Sequence, residues 1–128
     1  MDLAAPTAAL KAVLDAMPGA IAAPMTASRG AEPLVLIYKI MGKMFAILSI
    51  RGFQGVSLKC DPHLAEILRE QYSGVGHRYH MDRRHWISVS LDADVPLDEI
   101  EPLIAGSYAL VRAGLTRKQQ AELAALSP

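Results

Sequence analysis

Three β-rich segments with very short connections lie between residues 34 and 60, and they limit the folds open to this chain. Leu34–Ile40 is nearly continuously apolar, Met41 and Gly42 supply a turn, and Lys43–Ile50 follows as a second strand. Gly42 can adopt the positive φ that a tight hairpin turn requires. A loop with two glycines then leads to a third strand, Val56–Cys60. Because parallel strands need crossovers of about a dozen residues or more, the three strands are predicted to form an antiparallel meander.

A helix is predicted on each side of this meander. In the first helix, Thr7 is the expected N-cap and Pro18-Gly19 ends the helix; its apolar face consists of Leu10, Val13, Leu14 and Met17. Residues 20–32 are rich in small side chains and are predicted to form a loop. The second helix starts at Asp61-Pro62, because aspartate caps the free amides and proline fits the first turn, and Gly74 is expected to end it. Its predicted inward residues are Leu64, Ile67, Leu68 and Tyr72.

The rest of the chain is predicted to add one more strand and a long helix. Residues 75–82 are expected to form a loop, and Trp86–Leu91 a strand whose core face carries Ile87, Val89 and Leu91. A third helix is expected from about Leu97 to Ala113, although proline is tolerated only near the first turn, so Pro102 leaves a later start open. Its predicted inward residues are Leu97, Ile100, Ile104, Tyr108 and Val111.

The order of these elements predicts the fold class. A capping box formed by Thr116 and Gln119 predicts a short last helix. A helix, three closely spaced strands, a helix, at least one strand and a further helix are typical of a two-layer α+β domain with an antiparallel sheet and helices packed on one side. With 128 residues, the chain is long enough to bury one core. We therefore expect a single domain over residues 1–128.

The composition narrows the classes of partner and the compartment. Thirteen basic and thirteen acidic side chains give a net charge of zero, which counts against a dedicated nucleic-acid binder but allows a local basic patch. A single cysteine excludes an internal disulfide and fits a reducing cytosol, so a cytoplasmic location is expected. No segment reaches the roughly 18 apolar residues of a membrane span, and the N-terminus lacks the pattern of a signal peptide. No membrane association is expected.

The segment Tyr79–Leu91 is the richest in chemically active side chains, with two histidines, two arginines and the only tryptophan. Arginine and lysine can bind phosphates by charge, and tryptophan can stack on a base. The segment and its neighbours therefore suggest an anion-binding or nucleic-acid-binding surface made of Lys43, Lys59, Arg78, His80, Arg83, Arg84, His85 and Trp86. The alternative is a solvated loop whose arginines pair with local acids and whose tryptophan covers the core.

Other chemistries have weaker sequence support. His77, His80, Asp82 and His85 could ligate a metal with Cys60, but they lack the spacing that fixes two ligands on one regular element. Cys60 with a histidine is the available nucleophile pair, although a lone cysteine is more often a small buried apolar residue. Glycine-rich phosphate loops are absent from the sequence. We therefore expect no catalytic residues, no metal and no cofactor.

Four phrases of the sequence together resemble the MmcQ/YjbR family of small bacterial proteins. They are Gly42–Ala46 (GKMFA), Ser57–Pro62 (SLKCDP), Tyr79–Trp86 (YHMDRRHW) and Ser107–Val111 (SYALV). The resemblance implies a compact α+β domain similar to type III secretion chaperones and to CyaY-like proteins. Members are commonly described as DNA-binding, because a doubled winged arrangement has been proposed for the fold. The chain departs from the family pattern at Ala20–Met25, where acidic and aromatic residues are usual.

These observations favour a non-enzymatic binding domain with DNA as the expected partner. The alternative is a protein-interaction module that receives a partner protein or a second copy of the same chain. A third hypothesis is a small-molecule binder or enzyme with a pocket at His80 and Trp86.

Overall fold

The structure is a computed structural model that describes residues 3–26, 30–76 and 81–126. Within these ranges the chain forms four helices and six strands. In chain order they are α1 (Ala5–Asp15), β1 (Ile21–Met25), β2 (Val35–Ile40), β3 (Lys43–Ser49), β4 (Gly55–Lys59), α2 (Pro62–Gln71), β5 (Val75–Gly76), β6 (Trp86–Ser90), α3 (Leu97–Ala113) and α4 (Arg117–Ala125).

The six strands form one antiparallel sheet in the order β1-β2-β3-β4-β6-β5. The predicted meander is confirmed as β2-β3-β4, and the predicted strand at Trp86 is confirmed as β6 beside β4. With the helices packed against one face of the sheet, the predicted two-layer α+β class is also confirmed. Two short strands were not predicted. They are β1 in the expected loop 20–32, and β5 at the start of the expected loop 75–82.

The edge strand β1 shows why residues 20–32 were wrongly predicted to be a loop. All five of its residues are exposed, so the segment has no alternation of apolar and polar side chains to detect. It is a strand because it pairs with β2, in a register that runs from Ile21 opposite Lys39 to Met25 opposite Val35. Pro24 lies within it, which is tolerated because β1 is at the edge of the sheet.

The core lies between the sheet and the helices. Tyr38, Ala46, Leu58 and Ile87 stand opposite one another on neighbouring strands and are at most 1% exposed. Phe45 has no partner on β2, because the register shifts after Tyr38, and its ring packs edge-to-face on the rings of Tyr38 and Tyr108 at 6.2 and 5.5 Å. This bulge therefore joins the sheet to α3.

Helix α3 is also tied to the sheet by one buried hydroxyl. Ser107 Oγ donates a hydrogen bond to the Phe45 carbonyl at 2.5 Å and accepts one from the Lys59 backbone N–H at 2.9 Å. Ser107 is fully buried, so this hydroxyl satisfies backbone groups of both β3 and β4 that are shielded from water. The contact places Lys59 beside α3.

Helix α2 begins as predicted, but its inward face is smaller than expected. The Asp61 carboxylate accepts hydrogen bonds from the N–H groups of His63 and Leu64 at 3.0 and 3.3 Å, and Pro62 opens the helix. Leu64 and Ile67 are 40% and 45% exposed, so the prediction that they face the core was wrong. The helix packs against β5 and β6, at the β5 edge of the sheet. Its buried residues are Ala65 and Leu68.

Two predicted helix boundaries were also wrong. Thr7 lies buried inside α1, whose N-cap is Ala4, because Pro6 fits the first turn and lets the helix begin earlier. Helix α2 ends at Gln71, where Tyr72 turns to an extended conformation, rather than at Gly74. The predicted range of α3, Leu97 to Ala113, is confirmed, and the helix accommodates the exposed Pro102 in its interior. The prediction that Leu97 faces the core was wrong, because Leu97 is 37% exposed.

The capping box predicted for the last helix is confirmed, with Thr116 and Gln119 bonded reciprocally at the start of α4. None of the helices in the described ranges is both long enough and apolar enough to cross a lipid bilayer.

Candidate functional site

Six of the eight residues predicted to bind anions fall within the described part of the chain, and they form two groups. Arg78 and His80, like His77, lie outside the described residues. Arg83, Arg84 and His85 lie on the turn that leads into β6. Lys43 and Lys59 line a groove at the end of the sheet together with Trp86.

Asp82 holds the turn in shape. Its carboxylate accepts a hydrogen bond from the Arg84 backbone N–H at 2.9 Å and lies 2.5 Å from His85 Nδ1. Its backbone carbonyl accepts hydrogen bonds from the N–H groups of His85 and Trp86 at 3.2 and 2.9 Å. The hydrogen bond with His85, followed by the one from Arg84, lowers the pKa of the Asp82 carboxyl below its usual value. The His85 ring is thus engaged by Asp82.

Arg69, at the end of α2, holds the same turn through hydrogen bonds to its backbone. It was not among the predicted site residues. Its Nη2 donates to the carbonyl oxygens of Arg83 and Trp86, at 2.5 and 2.9 Å. Its Nε is buried and has no hydrogen-bond partner among the described residues. In the sequence, Arg69 looks like an ordinary basic residue in the last turn of a helix, where it complements the helix dipole. Only the tertiary contact reveals its second role.

A cleft of about 600 Å³ separates this turn from α2. Its basic lining residues are His63, Arg69, Arg83 and Arg84, and Glu66 and Glu70 also line it. The ion pairs found within the described ranges join Lys11 to Asp15, Arg51 to Glu32 and His85 to Asp82, so they leave out Arg83 and Arg84. Both arginines are exposed. Their guanidinium groups are therefore available to an anion from solution.

The second group surrounds a groove of about 390 Å³, which we call the lysine groove because Lys43 and Lys59 line it. Lys59 on β4 stands directly opposite Trp86 on β6. Lys43, at the start of β3, lines the same groove, whose apolar wall comes from Met44 and from the end of α3. Trp86 connects the two groups, because its carbonyl is held by Arg69 while its side chain lines the lysine groove.

The arrangement around Cys60 gives little support to nucleophilic chemistry. Burial, and secondarily the charge of Asp61, raise the pKa of the Cys60 thiol, so the thiol is neutral near pH 7. The backbone N–H of Cys60 donates to the His85 carbonyl at 2.7 Å, which makes their contact a backbone contact. Within the residues that the structure describes, no three His, Cys, Asp or Glu side chains are placed to hold a metal ion.

The chain forms a small antiparallel α+β domain with an exposed turn that carries Arg83 and Arg84. A family model described as YjbR matches residues 16–110, and the chain belongs to this YjbR family. The resemblance seen in the sequence is thereby confirmed.

Sequence relatives and solved structures agree with this assignment. The uncharacterized protein YbdF of Escherichia coli O157:H7 is 34% identical over 85 residues, which cover 66% of this chain and 70% of YbdF. The uncharacterized protein YjbR of E. coli K12 is 38% identical over 71 residues, 55% of this chain and 60% of YjbR. The crystal structure of Deinococcus radiodurans DR2400, a DUF419 domain, matches with a TM-score of 0.77 at 30% identity and covers 95% of this chain and 92% of that one. A protein from Pseudomonas syringae matches with a TM-score of 0.57 at 25% identity, over 70% of this chain and 86% of that one.

Proposed function

We propose that the protein is a non-enzymatic, cytoplasmic binding domain that takes the phosphate backbone of DNA on the turn carrying Arg83 and Arg84. The observation that carries the proposal is that both guanidinium groups are exposed and take part in none of the ion pairs of the described residues. The backbone of the turn that carries them is held in place by hydrogen bonds to Asp82 and Arg69. A guanidinium group can present two parallel N–H donors to a phosphate. Because the turn is already ordered, binding costs little additional conformational entropy.

The acidic residues in the cleft limit how DNA can approach. Glu66 and Glu70 line the cleft beside Arg83 and Arg84, and they would repel a phosphate placed deep inside it. The backbone is therefore expected to cross the outer rim of the turn. Contacts of this kind position a duplex without reading its sequence, so the expected binding is weakly sequence-dependent and strongly salt-dependent.

The lysine groove would extend the same surface. Lys43 and Lys59 could contact further phosphates, and Trp86 is half-buried beside them. Its ring could stack on an unpaired base, which would favour single-stranded DNA. Comparing single-stranded and double-stranded oligonucleotides therefore tests the contribution of Trp86.

The deciding experiment is fluorescence anisotropy of labelled DNA titrated with the protein across a range of salt concentrations. The double variant Arg83→Ala/Arg84→Ala is expected to weaken binding and to reduce the salt slope by about 2 units, since each lost phosphate contact releases about one counterion less. The matched control, Arg117→Ala/Lys118→Ala, removes the same charge from exposed positions of α4 that line neither the cleft nor the lysine groove. A flat titration at low salt, or equal losses in both double variants, would contradict the proposal.

A protein partner is the second candidate, and the edge strand β1 favours it. Its residues are all exposed, and Ile21 and Met25 are 70% and 53% exposed on one face of the strand. A partner strand or a second copy of the chain could add to this edge, although Pro24 has no N–H to offer it. Light scattering at increasing concentration tests self-association, and Ile21→Lys should abolish any dimer formed through this edge.

A further inference from the structure

An apolar groove of about 320 Å³ lies between the start of α2 and the outer face of α3. Its walls include Leu64 and Leu110, which are 40% and 42% exposed, and Leu103 and Ile87. Gly106 on α3 lines the groove, and a Cβ atom at this position would meet nothing within 4 Å. The volume lies at the lower end of the range of about 300–1,000 Å³ that small-molecule sites occupy.

The polar atoms around the groove are mostly engaged within the protein. Ser107 Oγ bonds the Phe45 carbonyl and the Lys59 N–H. The Asp61 carboxylate caps α2. The ammonium group of Lys59 is different, because the ion pairs of the described residues do not include it. Lys59 also lines the neighbouring lysine groove, to which Lys43 contributes a second positive charge.

We propose that this groove binds an amphipathic organic monoanion, with its apolar body between α2 and α3 and its carboxylate against Lys59. The apolar walls favour a hydrocarbon body, since its transfer from water contributes about 25 cal/mol per Å² of apolar surface buried. The uncompensated ammonium of Lys59 favours a negative head group. Asp61 lines the same groove and would repel a second carboxylate, which is why the expected ligand carries only one. This inference does not depend on DNA binding.

The chain contains two natural reporters for this groove. Cys60 is its only cysteine and lines the apolar groove, and Trp86 is its only tryptophan and lines the adjoining lysine groove opposite Lys59. Sodium decanoate is a suitable probe. It is expected to change Trp86 fluorescence in a saturable manner and to slow the alkylation of Cys60 by iodoacetamide. Decan-1-ol should bind about tenfold more weakly, because its neutral hydroxyl group lacks the charge that strengthens the contact of a carboxylate with the Lys59 ammonium group.

Two substitutions separate the apolar and the charged parts of the site. Gly106→Leu adds an apolar side chain at a position that lines the groove, where its Cβ meets nothing within 4 Å, and should reduce decanoate affinity at least tenfold. Helix propensity predicts unchanged or higher thermal stability for this variant. Ala105→Leu adds a similar side chain at an exposed neighbouring position that does not line the groove, and should bind decanoate like the original chain. Lys59→Met keeps the apolar stem and removes the charge, and should lower decanoate affinity about tenfold while leaving decan-1-ol binding unchanged.

Three results would overturn the proposal. The first is that neither Trp86 nor Cys60 shows a saturable response to decanoate. The second is equal decanoate affinity in Gly106→Leu and Ala105→Leu, and the third is equal affinity for decanoate and decan-1-ol. Because Gly106 lies outside the Arg83 and Arg84 turn, DNA titration of Gly106→Leu should match that of the unmodified chain, so the two proposals fail separately.

Discussion

Ser107 and Lys59 are 48 residues apart in the chain, and the Lys59 backbone N–H donates a 2.9 Å hydrogen bond to the Ser107 hydroxyl. The same hydroxyl donates to the Phe45 carbonyl. One small side chain on α3 thus satisfies backbone groups of two strands, and it sets the distance between the helix and the end of β4 where the lysine groove lies.

Replacing Ser107 by alanine is expected to destabilise the fold by about 2–4 kcal/mol, because it leaves a buried N–H and a buried carbonyl without a partner. Urea unfolding monitored by circular dichroism measures the loss. Ser88→Ala is the control, since it removes a hydroxyl from a half-buried strand position and should cost under about 1 kcal/mol. Equal losses in the two variants would show that the Ser107 hydroxyl contributes little.

Arg69→Lys is expected to loosen the turn that carries Arg83 and Arg84 while preserving the net charge. A lysine ammonium cannot present the rigid pair of donors with which Arg69 holds the carbonyls of Arg83 and Trp86. The amides of Arg84, His85 and Trp86, all bonded to Asp82, should then exchange with solvent roughly tenfold faster, consistent with the loss of about one charge-assisted hydrogen bond. Hydrogen exchange measured by NMR gives these rates.

The control for this experiment is Arg117→Lys, the same change at an exposed position of α4. Unchanged exchange of the three amides in Arg69→Lys would mean that Asp82 alone holds the turn.

The Tyr38–Asp15 hydrogen bond predicts how stability changes at alkaline pH. Tyr38 Oη donates to Asp15 Oδ1 at 2.7 Å, and burial followed by this hydrogen bond raises the pKa of the Tyr38 hydroxyl. In the unfolded chain tyrosine titrates near pH 10. The folded state therefore retains its proton at a pH where the unfolded state loses it, so this contribution is fully present below about pH 10 and is lost as the pH rises beyond it.

Tyr38→Phe should accordingly be less stable than the original chain by about 1 kcal/mol at pH 7, and this difference should shrink above about pH 10. Denaturant unfolding of both proteins at a series of pH values measures the difference. A gap that stays constant to pH 11 would contradict the assigned direction of the Tyr38 pKa shift.

Gly19→Ala is expected to be strongly destabilising for two separable reasons. Gly19 has a φ of +74°, and a Cβ atom there would lie 2.3 Å from Cδ1 of the fully buried Leu123. Gly52→Ala isolates the first reason, since its φ is +70° but nothing lies within 4 Å. Backbone strain alone should cost about 1–2 kcal/mol in Gly52→Ala, and overpacking should add about 1–3 kcal/mol in Gly19→Ala. Thermal unfolding of both variants tests the ranking. Equal losses of stability would show that Leu123 moves away from the added Cβ atom at little cost.

The elements that sequence patterns predicted correctly are those determined by local chemistry. The β2-β3 turn, the Asp61 cap of α2 and the capping box of α4 each depend on residues within a few positions of one another. Strand β1 depends on pairing with β2 across the chain, so its own side chains carry no signal. Periodicity likewise identified an apolar face on α2. It could not show that α2 packs only at the β5 edge of the sheet, so that Leu64 and Ile67 on this face stay exposed.

The candidate site was predicted in composition but not in arrangement. Proximity in sequence correctly brought Arg83, Arg84 and His85 onto one turn, and strand pairing placed Lys59 opposite Trp86. Sequence could not show that Asp82 engages the His85 ring, or that Arg69 reaches the turn from another helix. The Arg69 contact depends on how α2 and the turn pack together, which no local pattern encodes. The Asp82 contact is local, but it forms only once the turn has its folded shape.

The order of the strands has a consequence for synthesis on the ribosome. Strands β1 to β4 are neighbours both in the chain and in the sheet, so they can pair in the order in which they emerge. Their core face, however, is covered largely by α3, which follows β4 only after α2, β5 and β6. A nascent chain therefore exposes an assembled apolar sheet until α3 is made, and during that interval the protein is expected to depend most on chaperones.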